Sequence, residues 1–126
     1  MSYSVAADMD LFFGSLNITA WANINKDDNS TTITNRKAEA IAVADDMIDD
    51  VLRTTPYSYA LPLSTVPPRI RDLSRKIAGL WLFESTGAYD IDNEGKPVHR
   101  FVFVRRDADQ TLADIRDGKI KISAGI

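Results

Sequence analysis

The sequence predicts an all-α protein, a small bundle of four to five helices with a proline-rich connection and an extended C-terminal tail. Apolar residues recur with the 3.6-residue helical period in several segments, and turn-rich stretches separate those segments. Four of the five prolines, Pro56, Pro62, Pro67 and Pro68, lie between the end of the first of the two clearest periodic segments and the first turn of the second. The length of 126 residues fits one domain spanning residues 1–126.

The first two helices are predicted to be short. In residues 6–13, Ala6, Met9 and Phe13 share one face, and Gly14 is a suitable stop. Residues 16–24 form the second helix, with Ser15 as its N-cap. A polar, turn-rich loop is expected to follow over residues 25–33.

Two longer amphipathic helices flank the proline-rich connection. The first covers about 35–53, with Thr34 or Asn35 as its cap, and has its apolar side chains at helical spacing. The second begins at the Pro67–Pro68 pair, since the first turn of a helix tolerates a missing N–H, and continues to about Ser85. Residues 54–66 are predicted to be a loop, because each proline disfavours helix at the residue before it.

The segment after residue 97 carries two conflicting patterns. The run VHRFVFV is rich in β-formers and favours a strand. The positions Phe101, Val104, Ala108, Leu112 and Ile115 instead continue at helical spacing. We predict one helix over about 98–117, after another turn-rich loop at 86–97. The tail 118–126 alternates polar and apolar residues, which favours a short strand or a docking tail.

Composition argues against several classes of protein. The net charge of −3 disfavours a general nucleic-acid binder, which needs a basic surface. The chain has no cysteine, so thiolate metal sites and cysteine nucleophiles are excluded. No apolar run has the roughly 20 residues that span a bilayer, and residues 1–14 do not resemble a signal peptide. We predict no cofactor and no membrane partner.

Four carboxylates stand out on the long helix. They are Asp45, Asp46, Asp49 and Asp50, which form two like-charged i, i+4 pairs. The simplest interpretation is a solvated helix face; a metal site or an acid–base pair is an alternative, although no histidine is nearby. The functional interpretation we favour is a contact surface for a basic patch on a neighbouring copy. That patch would comprise Arg69, Arg71, Arg75 and Lys76.

No catalytic residues are predicted. His99 is the one histidine, and no nucleophile motif surrounds it. Glycine-rich phosphate loops and dinucleotide fingerprints are also missing from the sequence. Two other classes stay open: a helix-turn-helix regulator that binds DNA, and a small metal-dependent enzyme that uses the aspartate cluster.

Several short motifs resemble one family. They are I-D-x-x-L at Ile48, Asp49 and Leu52, then Y-x-L-P-L from Tyr59 to Leu63, V-P-P from Val66 to Pro68, Ile77–Ala78, and G-K-I-K-I-S from Gly118 to Ser123. In this order they resemble the small head–tail connector proteins of tailed phages of the Mu-like and lambdoid prophage type. The chain departs from that family at residues 25–30, which lack a D-x-D-G pattern, and at the β-rich VHRFVFV segment.

The resemblance implies a helical adaptor of a phage or prophage particle without catalytic residues. Such an adaptor joins the portal vertex of the capsid to the tail as a ring of copies, expected to be twelve-fold, and completes the DNA-filled head. Its expected partners are other copies of itself, the portal protein and a tail-completion or tail-terminator protein, with no specific nucleic-acid sequence. We expect Tyr59, Ile120 and Ile122 to be contact residues in addition to the charged ones.

Overall fold

The computed structural model describes residues 2–57 and 59–122, which form five α-helices and one two-stranded antiparallel sheet. The helices are α1 (Ala6–Phe13), α2 (Ser15–Ala22), α3 (Ser30–Thr54), α4 (Pro68–Ser85) and α5 (Val102–Arg116); the strands are β1 (Asp90–Ile91) and β2 (Pro97–Val98). The predicted all-α bundle is therefore confirmed.

Helix α4 is the centre of the bundle, because it contacts each of the other four helices. Its buried side chains surround most of its circumference, and they include Ile70, Leu73, Ile77, Leu80 and Phe83. Helix α3 packs against it in the opposite direction. Asp45 of α3 meets Ser74 of α4, whereas Arg36, two and a half turns earlier, meets Ser85.

A glycine lets α1 approach α4 closely. Gly79 is buried in the middle of α4, and a Cβ atom at that position would overlap the ring of Phe13. The Phe13 ring packs edge-on against Trp21 and Phe101, with ring centroids 5.6 and 5.4 Å apart. Phe83 of α4 completes this aromatic cluster, 5.2 Å from Trp21 and 5.1 Å from Phe101. The cluster joins α1, α2 and α4 to the N-cap residue of α5.

Helix α3 begins five residues earlier than the sequence predicted. Its N-cap is Asn29, not Thr34 or Asn35, and the Asn29 Oδ1 accepts the N–H of Thr32 at 3.1 Å. Helix α2 differs less: Gly14, with a positive φ of 96°, is both the C-cap of α1 and the N-cap of α2, so Ser15 is already helical.

The predicted helix over 98–117 is wrong at its start. Pro97 and Val98 form β2, which pairs with β1 across the loop expected at 86–97, and α5 begins at Val102. The VHRFVFV run is thus divided, with its first residue in a strand and its last three in a helix. The helical spacing was nevertheless correct, since Ala108 and Ile115 are buried. Gly118 follows the helix with a φ of 77°.

Candidate interaction surfaces

The structure separates the four aspartates of α3 into two pairs. Asp45 and Asp49 are half-buried and bond within the chain, whereas Asp46 and Asp50 are exposed. The Oδ1 of Asp50 lies 2.7 Å from Nη1 of Arg53. Within residues 2–57 and 59–122, the carboxylate of Asp46 makes no hydrogen bond or ion pair.

The inward pair holds the N-terminal arm, residues 2–5, against the bundle. The backbone N–H of Tyr3 donates to Asp45 Oδ2 at 3.0 Å, and the Tyr3 hydroxyl donates to Asp49. The same hydroxyl accepts the N–H of Leu63 at 3.0 Å, so it also ties down the proline-rich connection. The N-terminal arm, α3 and the connection therefore meet at one phenol.

Two serines extend this network into α4. Ser74 is fully buried, and its hydroxyl donates to Asp45 Oδ1 at 2.8 Å. The Ser4 hydroxyl lies 2.7 Å from that of Ser74. Burial raises the pKa of Asp45, and burial together with the hydrogen bond to Asp49 raises the pKa of Tyr3 to about 12. The network satisfies buried polar groups and fastens the N-terminal arm, which is a structural role.

The chemistry-bearing residues do not converge on one site. The His99 ring packs at a tilt of 56° against the ring of Phe83, and its Nδ1 accepts the N–H of Phe101 at 2.9 Å, while its Nε2 lies 3.3 Å from Glu84. These contacts do not include a serine. Over the described part of the chain, no group of three or more His, Asp or Glu residues is placed to hold a metal ion.

The predicted basic patch is also divided. Arg69 and Arg71 are exposed, but Arg75 and Lys76 are both bonded to Asp72, each at 2.7 Å. Burial alone would raise the pKa of Asp72, but the hydrogen bonds from Lys76 and Arg75 outweigh it and lower that pKa.

The Lys76 Nζ also reaches Asp107 of α5 at 3.3 Å. Lys76 and Arg75 both lie near the ring of Phe12, with centroid distances of 5.4 and 5.2 Å. Their charges are therefore used in the packing of α1, α4 and α5, and only Arg69 and Arg71 of the predicted patch have charges that the described residues leave unpaired.

The tail packs on its own bundle as far as residue 122. Ile122 is buried, Ile120 packs against the core, and the N–H of Ile122 donates to the Tyr59 hydroxyl at 2.8 Å. Lys119 and Lys121 are the exposed side chains of this segment. The apolar side of the tail thus faces inward and its cationic side faces outward. The last part of the predicted tail, 123–126, lies outside the described residues.

The outward side of the tail forms a groove that the sequence did not lead us to predict. We define the cationic groove as the 370 Å³ depression lined by Pro67, Arg69, Lys119, Ile120, Lys121 and Ile122. Three of these six residues are cations, and none is acidic. The alternation of Lys119 to Ile122 was visible in the sequence, but the approach of the two lysines to Arg69 depends on the docking of the tail.

Exposed apolar side chains mark other parts of the surface. Leu11 and Leu16, on either side of the α1–α2 corner, are 80% and 88% exposed, and Phe103 of α5 is 76% exposed. Every described helix is too short or too polar to span a bilayer.

These features define a small helical protein whose partly buried polar side chains bond within the chain. The charged side chains that are left without a partner among the described residues lie on its surface. The sequence matches the family model described as Bacteriophage Mu, Gp36 over residues 3–125, and the chain belongs to this family. No curated protein sequence matches the chain at a significant level. Family membership identifies a phage protein of the structural or assembly class.

Proposed function

We propose that this protein is a structural adaptor of a phage or prophage particle. It forms a ring at the portal vertex, joins the capsid to the tail and completes the DNA-filled head. Its partners are other copies of itself, twelve of them to match the portal, the portal protein, and a tail-completion or tail-terminator protein. The protein is assembled in the cytoplasm of the bacterial host, ends up at the head–tail junction, and catalyses no reaction.

The observation that carries this proposal is the match to the phage family over residues 3–125. The surface supports it, because a subunit of a ring needs two different faces that recognise each other. The chain has exposed carboxylates at Asp46 and Asp50 on α3, and exposed cations at Arg69, Lys119 and Lys121 in the cationic groove. The exposed Leu11 and Leu16 add apolar area of the kind that subunit contacts bury.

The direct test is binding to the portal protein of the same particle. The purified full chain is mixed with that portal, and the complex is weighed by native mass spectrometry and imaged by electron microscopy. We expect a ring of copies stacked on the portal. The portal of an unrelated phage is the control and should remain unoccupied. A chain that binds neither its portal nor another ring of the particle would contradict the proposal.

A further inference from the structure

We propose that the cationic groove of one copy receives the acidic ridge of the next copy, where the acidic ridge is the exposed pair Asp46 and Asp50 on α3. This inference rests on the proposed ring and names the two surfaces that would join its subunits. It is narrower than the contact that the sequence suggested, because four of the charged residues of that contact are bonded within the chain. They are Asp45, Asp49, Arg75 and Lys76.

The groove concentrates positive charge on a protein with a net charge of −3. Arg69, Lys119 and Lys121 line it and make no ion pair with any described residue, although Asp72 is only one helical turn from Arg69. That carboxylate is bonded to Arg75 and Lys76 instead. Helix α4 begins at Pro68 next to the groove, and the positive end of its dipole adds to the attraction for a carboxylate.

The ridge carries an electrostatic cost that a partner would relieve. Asp46 and Asp50 are four residues apart on α3, and a like-charged pair at this spacing destabilises a helix. The other like-charged pair, Asp45 and Asp49, is compensated by Tyr3 and Ser74. In the outward pair only Asp50 has a partner, Arg53.

Each of the two surfaces presents two neighbouring charges of the same sign. Side chains four residues apart on a helix have Cβ atoms roughly 5–6 Å apart. Lys119 and Lys121 are both exposed and lie on either side of Ile120 in the bend that follows α5. Two ammonium groups are thus able to meet two carboxylates, with Arg69 at the side.

Ridge and groove lie on different elements and share no residue, so one copy is able to use both at once. Contacts of this kind join copies head to tail, and they close into a ring where the rotation allows. A second copy fits the groove better than duplex DNA does, because three cations on an acidic protein neutralise few phosphates. The floor of Pro67, Ile120 and Ile122 also suits the methylene and methyl groups of a protein surface, such as the exposed Met47 between the two aspartates.

The test is a charge exchange between the two surfaces. The groove variant is Lys119→Glu/Lys121→Glu, and the ridge variant is Asp46→Lys/Asp50→Lys. Each alone should lose about tenfold or more in ring assembly on the portal, because like charges then face each other. An equimolar mixture should assemble again, since every contact in an alternating ring is then between opposite charges.

The control is Lys26→Glu/Arg106→Glu, which changes the net charge as the groove variant does but at exposed positions outside the groove. It should assemble like the unaltered protein. Thermal unfolding checks that each variant is folded, and native mass spectrometry counts the copies bound. Assembly that is lost in each variant by itself and restored only in the equimolar mixture would establish the pairing of ridge and groove.

The outcomes separate this inference from the proposed function. If the unaltered chain forms rings and both variants form them equally well, the ridge–groove contact is wrong and the adaptor role stands. Rings that persist in a groove variant that has lost affinity for duplex DNA would assign the groove to phosphates and overturn the contact. If the unaltered chain forms no ring on its portal and binds no other ring of the particle, both proposals fail.

Discussion

Tyr3 connects three parts of the chain through a single side chain. Its backbone N–H and hydroxyl bond to Asp45 and Asp49, and the hydroxyl also accepts the N–H of Leu63. Its side chain is 2% exposed, so each of these bonds replaces water that a buried group has lost. One phenol therefore determines where the N-terminal arm and the proline-rich connection lie.

We predict that Tyr3→Phe lowers the free energy of unfolding by about 1–2 kcal/mol at pH 8, because it removes a hydrogen bond to a carboxylate. The folded pKa of Tyr3 is raised to about 12 from an ordinary value of 10.0. The folded state therefore keeps a proton that the unfolded chain releases, so the stabilisation is full below pH 10 and is lost as the pH rises toward 12.

Urea unfolding at several pH values between 8 and 11 measures this difference, and absorbance of the phenolate follows the titration. The difference between the unaltered protein and Tyr3→Phe should shrink above pH 10. Tyr89→Phe, at an exposed tyrosine, is the matched control and should have little effect. A difference that stays constant over the whole pH range would contradict the role assigned to Tyr3.

The periodic elements could be predicted from the sequence, but some of their ends could not. The apolar spacing predicted both ends of α4 closely, because the proline pair fixes its start and its apolar face continues without a break to Ser85. Helix α3 was predicted too short because residues 30–34 are polar or β-branched. Their helical state depends on the Asn29 cap and on Ile33 packing against the core. At the start of α5 the β-rich run determines the outcome, because Val98 pairs with Asp90 in a strand and the helix begins only at Val102.

At the level of the element, we predict that Asn29→Ala lowers the free energy of unfolding by about 1 kcal/mol. The substitution removes the side chain that accepts the N–H of Thr32, and an N-cap of this type contributes about that much. Thermal or urea unfolding measures it, with Asn25→Ala, an exposed asparagine of the same loop, as the control. Equal effects of the two substitutions would show that Asn29 does not act as a cap.

Whole-molecule contacts decided which of the candidate residues are free for partners. The helical period already aligned Asp45 with Ile41, Ile48 and Leu52, so its inward position could have been inferred from the sequence. Its partner Tyr3 could not, because residue 3 precedes every periodic segment. The capture of Arg75 and Lys76 by Asp72 follows from i, i+3 and i, i+4 spacing, whereas the link to Asp107 needs the packing of α5 on α4.

The tail forms part of the core, and we predict the consequence for stability. Ile122 is 3% exposed, and its N–H is bonded to Tyr59. Ile122→Ala should lower the free energy of unfolding by about 2–5 kcal/mol, the range found for isoleucine-to-alanine changes in a core. Urea unfolding measures this. Lys119→Ala, at an exposed lysine of the same tail, is the control and should change stability by less than about 0.5 kcal/mol. A small effect at Ile122 would show that the tail contributes little to the core.

The two tryptophans offer separate optical reporters because their surroundings differ. Trp21 is enclosed by Phe13, Phe83 and Phe101, so its emission should be blue-shifted and should report the integrity of the aromatic cluster. Trp81 is half-buried beneath the guanidinium of Arg36, 4.5 Å from the ring centroid. Replacing one indole at a time with phenylalanine would leave a single fluorophore, and loosening between α3 and α4 could then be followed apart from events around α1 and α2.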